Sequence, residues 1–157
     1  NSFNQAWVPW LYEKLNNASS SIKNKIVKFT YVYFLVMLLL VALLTIAAPL
    51  IFKIFIGKDF SQAIIFVFWI ALGFGLNGMY KMVVNYIFYI KKTYWITVST
   101  VSTACLNILL CYFMVPTYGA IGAAQATCIS FGIEFIFIWI LSSQLYKMPW
   151  ITFLRDK

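Results

Sequence analysis

The stretch from residue 93 to residue 133 carries no charged side chain, and this run constrains the fold more than any other feature of the chain. A helix needs about 20 apolar residues to cross the hydrocarbon core of a membrane, so the run is long enough for two crossings. The tetrapeptide from Pro116 to Gly119 has turn character and predicts a hairpin between them. It leads directly into the small residues 120–124, which let helices approach closely in lipid.

The composition excludes a soluble domain. Hydrophobic residues make up 63% of the 157-residue chain and charged residues only 10%, whereas soluble domains carry about 25% charged residues. The apolar runs do not alternate with a period of two, which argues against a closed barrel. The sequence therefore predicts an all-α, polytopic membrane helix bundle.

Uncharged runs predict four complete crossings, at about residues 26–52, 61–90, 93–115 and 119–146. Pro49 is expected to kink or end the first of them, and Gly57-Lys58-Asp59 is the loop that follows. Residues 1–15 resemble the end of a preceding helix, with Trp and Tyr side chains at interfacial depth. Since the chain starts at Asn1 rather than Met, we expect it to be a fragment.

The basic residues orient these helices. Of the twelve, nine fall on one membrane face if the crossings alternate, and Lys53 and Lys58 fall on the other. The positive-inside rule places the face with nine, and with it the C-terminus, in the cytoplasm. A charge that orients the helices does not imply nucleic acid as a partner. The nine are Lys14, Lys23, Lys25, Lys28, Lys91, Lys92, Lys147, Arg155 and Lys157.

The residues that most enzymes need are scarce. The chain has no histidine and only four acids, none of which forms a close pair in the sequence. Its three cysteines lie in predicted spans without metal-ligand spacing. We therefore expect no enzyme, no metal and no cofactor. The segment from Gly73 to Gly78 fits the dinucleotide fingerprint GxGxxG, but it lies mid-span, where helix packing is the favoured interpretation.

Two ionisable residues lie within the predicted spans, and such residues are candidates for function. Lys81 is about 15 Å from Lys91 along a helix, and Glu134 is about 20 Å from Lys147, so both lie deep in the membrane at comparable depth.

Three spans carry polar or small stripes at helical spacing, as expected if they surround a polar passage. The stripes are Asn77, Lys81 and Asn85; Thr93, Thr97, Thr100, Thr103 and Asn107; and Ala123, Thr127, Ser130 and Glu134. Three other interpretations stay open: plain helix packing, a snorkelling Lys81, and a buried ion pair between Lys81 and Glu134.

Four motifs together resemble the bacterial polysaccharide (O-antigen-type) flippases of the multidrug/oligosaccharidyl-lipid/polysaccharide exporter superfamily, and the resemblance covers nearly the whole chain. They are Trp7-Val8-Pro9-Trp10, Tyr86-x-x-Tyr89-x-Lys91-Lys92-Thr93, Asn107-x-Leu109 and Pro116-x-Tyr118-Gly119-x-x-Gly122-Ala123-Ala124-x-Ala126-Thr127.

The resemblance implies a two-lobed transporter of about twelve helices that works by alternating access. This chain is similar to the last part of the second lobe, so its partners would include the missing N-terminal lobe, membrane lipid and the substrate. The implied substrate is an undecaprenyl-diphosphate oligosaccharide, moved across the inner membrane from the cytoplasmic to the periplasmic leaflet for cell-surface polysaccharide (lipopolysaccharide O-antigen) synthesis.

The site residues follow from combining the resemblance with the polar stripes. Lys81, Asn77, Asn85 and Asn107 offer the cationic and hydrogen-bonding groups that a diphosphate and sugars need at membrane depth, and Thr100 joins them along the substrate passage. Glu134 is the candidate for coupling transport to a proton or another cation.

Other functions stay open. A multidrug-type cation antiporter of the same superfamily would carry acids in its cavity, whereas this chain has Lys81 and a single acid within its spans. A membrane glycosyltransferase, polymerase or ligase acting on lipid-linked sugars would need catalytic acids, Arg or His and a sizeable loop. A purely structural membrane subunit is the third alternative.

Overall fold

The computed structural model describes residues 2–16, 19–55 and 64–150. These residues form five α-helices: α1 (Ser2–Asn16), α2 (Ser20–Phe55), α3 (Ile64–Tyr89), α4 (Tyr94–Tyr118) and α5 (Ala120–Leu145). The helices α2 to α5 are long and apolar enough to cross a membrane. The predicted all-α bundle with four crossings is therefore confirmed, and the chain is a multi-pass membrane protein. The predicted loop Gly57-Lys58-Asp59 and the basic residues Arg155 and Lys157 lie outside the described residues.

Helix α2 is longer at both ends than the sequence predicted. It begins at Ser20 because Ser19 caps it: the Ile22 N–H bonds to the Ser19 hydroxyl at 3.4 Å and to the Ser19 carbonyl at 3.0 Å. It does not end at Pro49 but continues to Phe55. A proline inside a helix removes one backbone hydrogen bond, and membrane helices tolerate this loss.

The hairpin between α4 and α5 is tighter than predicted. α4 continues through Pro116 to Tyr118, and Gly119 alone separates it from α5. Gly119 has a φ of 63°, a left-handed conformation that favours glycine, and its N–H bonds to the Val115 carbonyl at 2.8 Å. The prediction of a four-residue turn was therefore wrong in extent, because the left-handed glycine reverses the chain by itself.

The crossing helices are arranged in the order α2, α3, α5, α4, with each packed on the next. α1 makes a smaller contact with α2 and α3. The central helices α3 and α5 run in the same direction, since Gly73 lies against Cys128 and, further along, Tyr86 stacks on Tyr146. This parallel register brings equivalent depths of α3 and α5 side by side.

Glycines lie where α3 meets its neighbours. A Cβ added to Gly73 would lie 3.3 Å from the Cα of Cys128 on α5, and a Cβ added to Gly78 would overlap the Met37 side chain on α2. The glycines of the GxGxxG segment therefore lie at helix contacts, which is the packing role predicted from the sequence.

Packing is densest at the end of the bundle where α3 ends. All six residues from Met82 to Ile87 are buried, and the chain after α5 folds back over them. Trp150 is 7% exposed, and its carbonyl accepts a hydrogen bond from the Tyr31 hydroxyl at 3.0 Å. This end, called the lysine-rich end below, carries the described lysines of the predicted cytoplasmic face: Lys14, Lys23, Lys25, Lys28, Lys91, Lys92 and Lys147.

Replacing Gly122 with alanine is expected to destabilise the bundle, because the added Cβ would overlap the Met114 carbonyl on α4. Backbone cannot move aside as a side chain can, so we expect a loss of about 1–3 kcal/mol, the usual effect of overpacking. Gly132→Ala is the matched control, since its Cβ would lie 3.5 Å from Leu76 Cδ1, an ordinary contact. Thermal unfolding of both variants in detergent measures the difference, and equal melting temperatures would contradict the close approach of α4 and α5.

Candidate functional site

A stripe of small residues on α5 brings α4 close to a buried acid. Gly122, Ala126, Ser130 and Glu134 recur every four residues and therefore lie on one face of α5. All four are buried, and Glu134 is only 6% exposed. Small side chains let the backbones of α4 and α5 approach, so the polar groups of α4 come within hydrogen-bonding distance of this face.

Glu134 lies where α3, α4 and α5 meet. Its Oε1 accepts a hydrogen bond from the Thr100 hydroxyl of α4 at 3.4 Å. The Tyr80 phenol of α3 lies within electrostatic reach of both groups. Three helices thus contribute one polar group each to a cluster at membrane depth, which we call the Glu134 cluster.

Asn107 forms a second bridge between α4 and α5. Its Nδ2 donates to the Thr127 hydroxyl at 3.4 Å and to the Ser130 hydroxyl at 3.3 Å. Those hydroxyls in turn donate to the α5 carbonyls of Ala123 and Ala126. Each amide hydrogen therefore has an acceptor, and each hydroxyl both donates and accepts. Thr100 and Asn107 of the predicted α4 stripe thus face the α5 stripe along this interface, whereas Thr97 is exposed and Thr93 precedes α4.

A cavity of about 180 Å³ lies beside Glu134 between α4 and α5. The Ser99 hydroxyl is buried there, with no hydrogen-bond partner among the described residues. Ser99 and Tyr80 were not among the residues predicted from the sequence; the four-residue spacing of Ser99 and Thr103 was the available signal for Ser99. The cavity is lined by Val98, Ser99, Ser102, Thr103, Leu106, Ile133, Glu134 and Phe137.

The polar residues of α3 form a separate group. The Asn85 amide is 2% exposed and donates to the Asn4 side chain of α1 at 3.0 Å and to the Lys81 carbonyl at 2.8 Å. Asn85 therefore holds α1 against α3. Lys81 and Asn77 are partly exposed and lie four and eight residues before Asn85 on the same side of the helix.

The structure places the six predicted site residues in two separate parts of the bundle. Thr100 and Glu134 meet in the Glu134 cluster and Asn107 lies in the same α4–α5 interface, whereas the α3 stripe is apart from them. Among the described residues, Lys81 and Glu134 form no ion pair, and Tyr80 is the α3 residue that lies within electrostatic reach of Glu134. The ion-pair interpretation is therefore wrong for this conformation.

Lys81 and Glu134 do lie at comparable depth. Leu76 lies against Gly132 across the α3–α5 contact, so the parallel register places Glu134 level with Gly78. Lys81 is one helical turn or less further along, about 4.5 Å at the helical rise. A charged group on α3 and a buried acid on α5 thus share one level of the membrane.

The described residues offer no cluster of three or more His, Cys, Asp and Glu side chains that could hold a metal ion. Comparison of the chain with protein families, with curated proteins and with solved structures found no match. The polar groups within the spans are thus the features on which a function can be argued.

A double-mutant cycle of Thr100→Val and Glu134→Leu tests the Glu134 cluster, because leucine removes the carboxylate that accepts the Thr100 hydrogen bond. We expect a coupling free energy of about 0.6 kcal/mol and at most about 1.7 kcal/mol, the range measured for hydrogen bonds between membrane helices. Thermal or denaturant unfolding in detergent gives the four stabilities. The pair Thr100→Val and Asn85→Leu is the control, because Asn85 bonds to α1 and not to α4, and additive effects are expected there. Additivity in both pairs would contradict the Thr100–Glu134 contact.

Proposed function

We propose that this chain is part of a transporter that moves a lipid-linked oligosaccharide, carried on undecaprenyl diphosphate, across the inner membrane by alternating access. The observation that carries the proposal is the placement of polar side chains at membrane depth on three neighbouring helices. Ionisable residues in membrane spans are costly, and they commonly mark substrate or ion pathways. A purely structural bundle has no need of Lys81 and Glu134 at one level of the membrane.

The polarity of the sites suits a polar, anionic head group. Lys81 is partly exposed rather than enclosed in the core, so its ammonium is accessible to a diphosphate, and Asn77 lies one turn away to bond to sugar hydroxyls. The multidrug alternative predicts exposed acids facing a cationic substrate. Glu134, the acid in the described spans, is instead buried against Thr100.

The exposed surface of α4 supports the two-lobed arrangement. Ser99 is the one buried residue of this helix, and threonines as well as large apolar side chains are exposed on it. Thr97 is exposed near the start of α4, and Thr100 is exposed although its hydroxyl bonds to Glu134. Lipid offers no hydrogen-bond partner to exposed polar side chains, so we propose that the other lobe of the transporter faces this side of α4 across a polar passage.

An enzyme acting on lipid-linked sugars is the alternative from another class. The described connections are short: residues 90–93 join α3 to α4, and Gly119 joins α4 to α5. A lipid-linked sugar enzyme needs catalytic acids, Arg or His around its substrate, and these described connections carry no Asp, Glu, Arg or His. We therefore propose transport rather than catalysis.

Lys81→Gln is expected to weaken binding of an undecaprenyl-diphosphate oligosaccharide by about tenfold or more, because a hydrogen bond to a charged group contributes about 1.5–3 kcal/mol. The protein is placed in nanodiscs and titrated with the fluorescently labelled lipid-linked oligosaccharide. A cationic amphipathic dye, titrated in parallel, represents the substrates of the multidrug alternative.

Lys53→Gln is the matched control for Lys81→Gln, since Lys53 is an exposed lysine near the end of α2 and should leave oligosaccharide binding unchanged. Equal affinity of the parent and the Lys81→Gln variant, with both inserted and helical, would remove the assigned role of Lys81. Saturable binding of the dye in place of the oligosaccharide would favour the antiporter.

Glu134→Gln is expected to abolish the dependence of transport on a proton or cation gradient while leaving lipid-linked oligosaccharide binding intact, because glutamine keeps the shape and the Thr100 contact but cannot take up a proton. The measurement is oligosaccharide flipping in proteoliposomes with and without an imposed gradient. Ser143→Ala is the control, since the Ser143 hydroxyl bonds to the Trp139 carbonyl of its own helix. An unchanged gradient dependence in Glu134→Gln would exclude Glu134 from coupling.

A further inference from the structure

Tyrosines join three parts of the chain at the lysine-rich end. The rings of Tyr12 and Tyr89 are 5.4 Å apart, those of Tyr89 and Tyr146 are 5.7 Å apart, and Tyr146 stacks on Tyr86 at 6.0 Å. These rings come from α1, from the last turn of α3 and from the residue after α5. We call Tyr12, Tyr89 and Tyr146 the tyrosine platform.

Lysines surround this platform from different helices. The Lys23 ammonium of α2 lies 5.1 Å from the centre of the Tyr146 ring, a cation–π contact. Lys147 follows Tyr146 directly and is exposed. On the other side, the Tyr89 hydroxyl donates to Asn16 at 2.8 Å, which brings the last turn of α1 to the platform, and with it Lys14.

The connection after α3 adds two further lysines. The Lys91 N–H bonds to the Phe88 carbonyl and the Lys92 N–H to the Ile87 carbonyl, at 3.0 and 3.2 Å, so the chain turns back over the end of α3. Lys91 has a φ of 59°, and both lysines are exposed. Their backbone is thus fixed beside Tyr89.

The charge at this surface is unbalanced. Among the described residues, Glu13 is the acid at the lysine-rich end. The lysines at the same end include Lys14, Lys23, Lys91, Lys92 and Lys147. Burial raises the pKa of Tyr146 above its usual value, with a smaller contribution from Tyr89, so the Tyr146 phenol adds no negative charge. Several ammonium groups therefore face outward with donors free for an anion.

We propose that the tyrosine platform and its lysines bind the phosphate head group of an anionic membrane phospholipid. The platform lies at the ends of the crossing helices, which is the level of the lipid head groups, and aromatic rings are favoured at that level. Trp10 of α1 and Phe29 of α2, which both lie beside Trp7, expose 41% and 42% of their surfaces, as acyl chains would require. Basic pockets between membrane helices recognise anionic head groups.

This inference does not depend on the proposed transport function. The platform lies at the end of the bundle, away from Lys81 and Glu134, and its ligand is a bulk phospholipid. A chain that transports nothing would still bind the lipid, and a transporter could lack this site.

The test is native mass spectrometry of the protein in detergent, titrated with dioleoyl phosphatidylglycerol or with dioleoyl phosphatidylcholine. We expect preferential binding of phosphatidylglycerol. Lys23→Gln and Lys147→Gln should each weaken that binding by about fivefold, since a basic side chain at an anionic membrane surface contributes about 1 kcal/mol. Lys147 lies beyond the end of α5. The Lys147→Gln variant therefore still tests the site if the Lys23→Gln variant does not fold.

Lys53→Gln is the matched control, because Lys53 is an exposed lysine near the opposite end of α2, and it should leave phosphatidylglycerol binding unchanged. Equal binding of phosphatidylglycerol and phosphatidylcholine would contradict the proposed site. A loss of phosphatidylglycerol binding in Lys53→Gln as large as that in Lys23→Gln and Lys147→Gln would also contradict it. Inorganic phosphate is added in a separate arm. If millimolar phosphate displaces the lipid completely, the site recognises a free anion and the lipid assignment is wrong.

Discussion

The close approach of α5 to both of its neighbours is the contact on which the rest of the structure depends. Gly122 lies against the backbone of α4, and Cys128 lies against Gly73 of α3. Association between helices in lipid has little hydrophobic driving force, so it relies on such close packing and on polar bonds between helices. Because α5 approaches both neighbours, one buried carboxylate can receive groups from α3 and α4 together.

That close approach also explains how the bundle tolerates its polar residues. A hydroxyl, amide or carboxyl facing hydrocarbon would lose its hydrogen bonds to water. In the α4–α5 interface, Asn107 bonds to Thr127 and Ser130, and Glu134 bonds to Thr100. The Ser and Thr hydroxyls of α5 are also bonded to their own helix. The polar stripe is thus paired within the protein where lipid cannot pair it.

Much of the fold could be predicted from the sequence because the membrane leaves few options. Uncharged runs fix the crossings, and glycine marks the reversal at Gly119. What could not be predicted is which face of each helix meets which neighbour. Asn85 and Thr100 both belong to polar stripes, yet one bonds to α1 and the other to Glu134. Sequence spacing predicts the face of its own helix on which a residue lies. The order α2, α3, α5, α4 depends instead on how all the helices pack together. Tyr80 was missed for this reason, since nothing in its own sequence neighbourhood connects it with Glu134.

The two halves of the bundle differ in how they are held together. At the lysine-rich end, α1 and the segment to Trp150 cover α2, α3 and α5, and Trp139 packs against Tyr31, Phe34 and Trp150. Toward the other end, clefts of about 460 and 470 Å³ separate α3 from α2 and from α5. Clefts lined by side chains such as Phe74 and Leu44 have only lipid or another protein surface to fill them. Relative movement of the helices therefore costs least there, because fewer contacts within the chain are lost. The Glu134 cluster lies between the closely packed half and the cleft-bearing half, and its Tyr80 belongs to α3, the helix that borders both clefts.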